Sequence, residues 1–143
     1  MEFRNYSPDE VSFTYKGVTI VGYAAGSFIK VKKSAPKFHK HVGSLGDVAR
    51  TRDLDDSGEV TLTLLAQSPS NDTLQAFLDA DAQFGNGYGT LQILDSNSAT
   101  MEAHASIAWI VTTPELDRAK ESGTTTWTFE CADLDLENGS QIA

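Results

Sequence analysis

Ser57-Gly58-Glu59-Val60-Thr61-Leu62-Thr63-Leu64-Leu65-Ala66-Gln67-Ser68-Pro69-Ser70-Asn71-Asp72-Thr73-Leu74 changes its hydrophobic period once, and that change decides the fold. Val60, Leu62 and Leu64 alternate with Thr61 and Thr63, so an extended chain sends its apolar side chains to one face and its hydroxyls to the other. Ser68 then offers an N-cap, and Pro69 suits the first helical position, where a missing N–H is no loss. Asp72 in the first turn complements the positive end of the helix dipole. Leu74, Phe77 and Leu78 form one stripe, and Gly85-Asn86-Gly87-Tyr88-Gly89 stops the helix.

Working outward, strands flank this junction on both sides. Upstream, Val11, Phe13 and Tyr15 alternate with Ser12 and Thr14, and Lys16-Gly17 offers a tight turn into a second strand over 18–24. Gly26 interrupts before a further apolar run over 27–31. Downstream, three strands are expected to close the chain. Leu91 and Ile93 lead into Asp95-Ser96-Asn97-Ser98, which suits a hairpin turn. Met101, Ala103, Ala105, Ile107, Trp109 and Val111 then share odd positions and so one expected face, with Glu102, His104 and Ser106 opposite. After Pro114, the run 124–133 sets Trp127, Phe129 and Cys131 against Thr126, Thr128 and Glu130. The expected class is mainly β: a small β-barrel or β-sandwich with one α-helix packed on its side.

The 143 residues suit a single domain, 1–143, with a core of ordinary size. A lone cysteine, Cys131, excludes an intramolecular disulfide and fits a reducing compartment. Met1-Glu2-Phe3-Arg4-Asn5-Tyr6 lacks the basic-then-apolar pattern of a signal peptide, and no run of about 18 apolar residues suggests a membrane span. The formal net charge is −9, yet seven of the eleven basic residues fall between Lys30 and Arg52, with Asp47 the one acid among them. An acidic protein repels phosphate, which argues against tight nucleic-acid binding. Its basic stretch, a long hairpin or loop at about 32–56, is either solvated or one pole of a molecule that associates head to tail.

Enzyme chemistry finds little support. Cys131 alternates with Trp127 and Phe129 and is expected in the core, where a thiol is inert. His39 and His41 have the spacing to share a metal on an extended segment, but no third ligand is fixed and nearby lysines and arginines oppose a cation. The glycines at 85–89 lack the Lys-Ser/Thr of a phosphate loop. Asp53-Leu54-Asp55-Asp56-Ser57-Gly58-Glu59 resembles part of a calcium loop, yet Leu65 stands where its bidentate glutamate belongs. No Gly-x-Ser-x-Gly elbow is present. The expectation is a non-enzyme without metal or cofactor.

A resemblance adds to this. Tyr15-Lys16-Gly17-Val18-Thr19-Ile20-Val21-Gly22-Tyr23-Ala24, Gly26-Ser27-Phe28-Ile29-Lys30-Val31, Gly46-Asp47-Val48-Ala49-Arg50, the strand at 57–65, Gln67-Ser68-Pro69-Ser70-Asn71-Asp72-Thr73-Leu74, Ala108-Trp109-Ile110 with Pro114, and Thr126-Trp127-Thr128-Phe129 occur in an order that resembles the tail-tube proteins of contractile-tailed bacteriophages. The likeness runs from about Val11 to Asp133; its His39-Lys40-His41 loop is more basic than the family pattern. The resemblance implies a structural subunit that forms six-membered rings stacked head to tail, with strands joining into one continuous barrel. Its implied partners are copies of itself, the tail sheath, the baseplate and the tail terminator. Phage DNA would pass through unbound, no membrane would be involved, and the location would be the virion tail after assembly in the host cytoplasm. On that basis the expected inter-ring contacts are Lys32, Lys33, Lys37, His39, Lys40, His41, Arg50 and Arg52, meeting Asp53, Asp55 and Asp56 or the stretch 115–121 of a neighbour. Glu59, Thr61 and Thr63, with Glu102, His104 and Ser106, are expected to line the lumen. Alternatives are a terminator, a baseplate hub ring or a secretion or bacteriocin tube. From other classes come a ligand-binding β-barrel lined by Trp109, Trp127 and Phe129, and last a hydrolase.

Overall fold

Val60, Leu62 and Leu64 are fully buried while Glu59, Thr61 and Thr63 face the other way, so the alternation in the deciding stretch makes a strand with one core face. The computed structural model describes residues 11–26, 28–95, 102–116 and 123–137. In chain order these give β1 (Val11–Tyr15), β2 (Val18–Ile20), β3 (Ile29–Lys33), β4 (Phe38–Val42), β5 (Val48–Arg52), β6 (Gly58–Leu65), α1 (Ser70–Phe84), β7 (Gly89–Asp95), β8 (Glu102–Ile110), β9 (Thr124–Cys131) and β10 (Leu134–Glu137). One antiparallel sheet runs β2-β1-β7-β8-β9-β6-β3, with β10 also paired to β8, and β4-β5 form a separate two-stranded ribbon.

The long sheet folds over on itself. β1 and β9 are separated by β7 and β8, which in a flat sheet would hold them about 14 Å apart. Instead the Phe129 ring lies 5.3 Å from Phe13 and 5.0 Å from Tyr15. The corner lies in β8 and in the β9–β10 pair. Ala103 and Ala105 point inward, but after Ser106 and Ile107 the inward residues are Ala108 and Ile110. The partner strand changes parity too, from Cys131 to Leu134 across Ala132-Asp133. Ala132 N–H donates to Ile107 O at 2.9 Å, and Ser106 Oγ donates to Asp133 Oδ2 at 3.2 Å, fastening the bend. Strands that pass from one sheet to the other through bends or bulges make sandwich corners of this kind.

The corner corrects the expectation of one face for the odd residues of 101–111: Ile107 and Val111 are 43% and 42% exposed, and Trp109 faces outward beside Glu130. Met101 and the turn at 96–98 lie outside the described residues. The strand expected over 18–24 is likewise broken. β2 pairs with β1 through the Lys16-Gly17 turn, whose φ values of 52° and 82° fit a type I′ hairpin. At Gly22 the chain leaves β1 and reaches β6 by one bridge, Tyr23 to Leu64. A single bridge is not a ladder, so the architecture is a sandwich and not a closed barrel. β10 was not foreseen, although Leu134 and Leu136 alternate with Asp135 and Glu137; four residues rich in acids make a short strand of low β-propensity.

The helix starts one residue later than expected, with Pro69 at the cap position. Ser68 still serves the helix start: its Oγ accepts the Ser70 N–H at 3.2 Å, the bond expected of a cap, and donates to Val21 O at 2.6 Å. Leu74 is buried in the core, Phe77 and Leu78 pack against it, and Gly85 ends the helix at φ 70°.

Gly58 fixes the junction of the two layers. A Cβ there would lie 2.2 Å from Leu134 Cδ2 and 2.8 Å from the Lys32 carbonyl oxygen. Leu134 can turn aside, but the Lys32 backbone is held by its ladder with β6. Gly58→Ala is therefore expected to destabilise by about 1–3 kcal/mol, as overpacking does. Chemical denaturation of the two proteins checks this, and equal midpoints would refute it.

Candidate assembly surfaces

The basic segment is a hairpin without a core face. Phe38, Lys40 and Val42 of β4 share a side with Arg52, Arg50 and Val48 of β5, and His39 and His41 share the other with Thr51 and Ala49. Every residue of both strands is exposed, and Leu45 at the tip is 92% exposed. Arg50 lies 4.2 Å over the Phe38 ring, a cation–π contact that stiffens the ribbon from within. The turn is closed by Gly43 N–H to Asp47 O at 2.7 Å, with Gly46 at φ 89°.

The acids expected to meet a neighbour's basic loop sit at the base of this same hairpin. His39 Nε2 donates to Asp53 Oδ2 at 2.6 Å, and Asp53 N–H donates to Lys37 O at 2.8 Å. The His39 bond, then the Asp55 N–H, hold the Asp53 carboxyl below the ordinary carboxylate range. Asp55 Oδ1 accepts the Ser57 hydroxyl and N–H, which lower its pKa in turn. Lys33 Nζ reaches Leu134 O at 2.6 Å, Asp56 O at 3.1 Å and Asp56 Oδ1 at 3.8 Å. Lys37, Lys40, Arg50 and Arg52 are thus the cations of the segment that stand out from the body, while Lys32 lies on β3 opposite Glu59. Of the alternative acidic stretch, Glu115 and Leu116 are described and exposed, and 117–121 lies outside the described residues.

Of the six residues expected to line a lumen, the five whose side chains are described do not share a face. Glu59, Thr61 and Thr63 stand on the outer side of the β3-β6-β9 layer, in register with Glu130, Thr128 and Thr126 of β9 and with Lys32 and Lys30 of β3. His104 stands on the outer side of the other layer, opposite Gln92 and Asp135, and Ser106 is at the corner between them. The Glu102 side chain lies outside the described residues. The β9 residues Thr126, Thr128 and Glu130, which sit between β6 and β8, were missed as surface candidates although their alternation was plain.

Other chemistry is poorly served. Burial pushes the Cys131 thiol up to about 11, so it stays protonated at neutral pH. Among the described residues no group of three or more His, Cys, Asp or Glu could hold a metal. Trp127 and Phe129 are buried in the core while Trp109 faces out, so these three aromatics do not line a common cavity. No helix among the described residues is long and apolar enough to cross a membrane.

Comparison with known proteins bears directly on this fold. The family described as bacteriophage PhiTE tail tube protein matches residues 7–139. The chain belongs to that family. No curated protein matches it by sequence. Solved structures match along nearly the whole chain. The tube-terminating cap of the anti-feeding prophage superposes with a TM-score of 0.66 at 12% identity, covering 97% of this chain and 95% of that one. The sheath/tube terminator of the extracellular contractile injection system PVC gives 0.64 at 12% identity, covering 96% and 99%. A chain of the PVC sheath–tube complex gives 0.58 at 11% identity, covering 92% and 90%. At such identities the likeness is one of fold. The tail tube family is a family of structural tail proteins, and the mainly β sandwich with one helix is the architecture its structural relatives share.

Proposed function

We propose that this tail tube family chain is the repeating subunit of the tube itself: six copies form a ring, and rings stack head to tail into a hollow conduit inside a contractile sheath. The observation that carries this reading is the β4-β5 hairpin, a basic and apolar ribbon with no buried residue on a chain of net charge −9. An element that buries nothing in its own subunit and bears the charge opposite to the rest is built to be buried in another copy. The other partners of the reading are the sheath on the outside, the baseplate and terminator at the two ends, and DNA in the lumen. Negative-stain electron microscopy of the purified chain over a range of concentrations tests it. Stacked rings or hollow tubes are expected, and discrete monomers at every concentration sink the idea of a self-sufficient tube. A second reading, a terminator that caps a tube, is favoured by the higher TM-scores to the two terminators, 0.66 and 0.64 against 0.58. A terminator would stop preformed tubes from growing further, whereas a tube subunit would lengthen them.

The β3-β6-β9 face suits the lumen. Its threonines at 61, 63, 126 and 128 present short hydroxyls, and Lys30 and Lys32 balance Glu59 and Glu130, leaving no net pull on phosphate. Replacing both Glu59 and Glu130 with Lys leaves four lysines and no acid among these positions, repeated around every ring. DNA moving past would then be held by counterion release. Phage assembled with Glu59→Lys/Glu130→Lys subunits should keep tails of normal length and eject DNA more slowly; ejection at the parental rate would reject this face as the lumen.

A further inference from the structure

We infer that the hairpin of one copy seats in a groove at the opposite end of β6 of the next copy, between the first turn of α1 and the segment 113–116. The inference rests on the stacking reading above and names its acceptor. β3 and β6 are antiparallel, and the hairpin is inserted beyond their Lys33–Gly58 end. The eight residues of β6 carry the chain about 23 Å away to Leu65. There Ala66 N–H donates to Gly123 O at 3.0 Å, and the chain turns into α1. A groove of about 490 Å³ opens at this end, with Asn71, Asp72, Thr113, Glu115 and Leu116 on its walls and Trp127 below. Among the described residues its two charged lining side chains, Asp72 and Glu115, are both acids, and Leu116 on its rim is 76% exposed. Asp72 also offsets the positive end of the helix dipole, which would otherwise oppose a cation.

The hairpin supplies the matching set: Leu45 at its tip, the Lys40–Arg50 pair midway along the ribbon, and Arg52 nearer its base. Two hairpins cannot pair with each other, since that sets like charges face to face. A nearer acidic groove, of about 450 Å³, lies at the hairpin's own base with Asp55, Asp133, Asp135 and Glu137. Docking there would join copies through the same end, which closes into a dimer or a ring and does not by itself build a stack. Only a contact whose two halves lie at opposite ends of the subunit propagates, and the far groove meets that condition.

Cysteine pairs read the contact. In Leu45→Cys/Leu116→Cys protein the two sites of one chain lie at opposite ends of β6, well beyond the roughly 7 Å limit for Cα atoms joined by a disulfide, so any bridge links two copies. Oxidised tubes of this variant should give a ladder of covalent oligomers on a non-reducing gel, and neither single variant should extend past a dimer. As a second arm, Asp72→Lys/Glu115→Lys and Lys40→Glu/Arg50→Glu/Arg52→Glu proteins should each fail to stack alone and should stack in alternation when mixed, because each reversed hairpin finds a reversed groove. Leu45→Cys/Leu116→Cys tubes that give no ladder, or cross-linking of Leu45→Cys/Asp135→Cys protein instead, would overturn the acceptor and leave the tube reading standing. If the wild-type chain forms no rings or tubes, the tube reading falls and this inference with it.

Discussion

Excising residues 38–52 and joining Lys37 to Asp53 through a two-residue Asn-Gly turn should abolish ring stacking and leave the subunit folded. Asp53 N–H already donates to Lys37 O at 2.8 Å, so the two ends have the spacing that a type I′ turn closes. No residue of β4 or β5 is buried, and the core lies wholly outside the hairpin. What the excision removes from the monomer is the exposed His39–Asp53 contact and a flexible closure, both small terms. The expected change in unfolding free energy is under about 1 kcal/mol, in the range of surface substitutions. What it removes from the assembly is Lys40, Arg50 and Arg52, leaving Lys37 as the one cation of the basic segment that stands out from the body. Thermal unfolding and electron microscopy of the same sample check both halves. Tubes of parental length would show that stacking runs through another surface, and an unfolded product would show that the ribbon supports the sandwich.

The hairpin also marks where sequence reading stops. Its charge was plain from Lys30 to Arg52, but its strands were not, because period-two alternation reveals a strand only when one face is buried. In β4 and β5 both faces are wet, so lysine, histidine and valine alternate without contrast. Where one face is buried the pattern was fully legible: Val60, Leu62 and Leu64 in β6, Trp127, Phe129 and Cys131 in β9, and Leu74 with Phe77 and Leu78 in α1. The corner in β8 was hidden for a different reason. Apolar residues occupy Ala103, Ala105, Ile107, Trp109 and Val111 without a break, and alanines at 105 and 108 fit either parity, so nothing local announces the bend at Ser106-Ile107. The split of the expected lumen residues between two layers follows from that one missed corner. The acids at 53–56 have a local role that pattern did not show: short Asp and Ser side chains close on neighbouring backbone, and these do so at the hairpin's own base.

Trp127→Ala should cost about 3–5 kcal/mol, the range for removing a large aromatic from a core. Trp127 is 2% exposed, in register with Leu62 of β6, and its indole Nε1–H donates to Asn71 Oδ1 at 2.9 Å. It therefore ties the first turn of α1 to the β6-β9 layer at the end of the molecule where the helix begins. Natural domains are stable by about 5–15 kcal/mol, so this single change would consume from about a fifth to all of that margin. Trp127→Phe separates the two contributions. It keeps most of the ring contacts and loses the hydrogen bond, and because Asn71 is only half-buried, water can replace the lost donor. The expected loss is about 1–2 kcal/mol, partly from the smaller ring and partly from the missing bond. Urea titrations of the three proteins measure the order, wild type above Trp127→Phe above Trp127→Ala. A loss under about 1 kcal/mol for the alanine variant would mean that the sandwich closes without this residue. Asn71 also lines the groove that we assign to the neighbour's hairpin. Trp127→Phe, still folded, is thus the variant in which assembly can be assayed: if the acceptor depends on a fixed helix start, its tubes should disassemble at lower denaturant than its monomer unfolds.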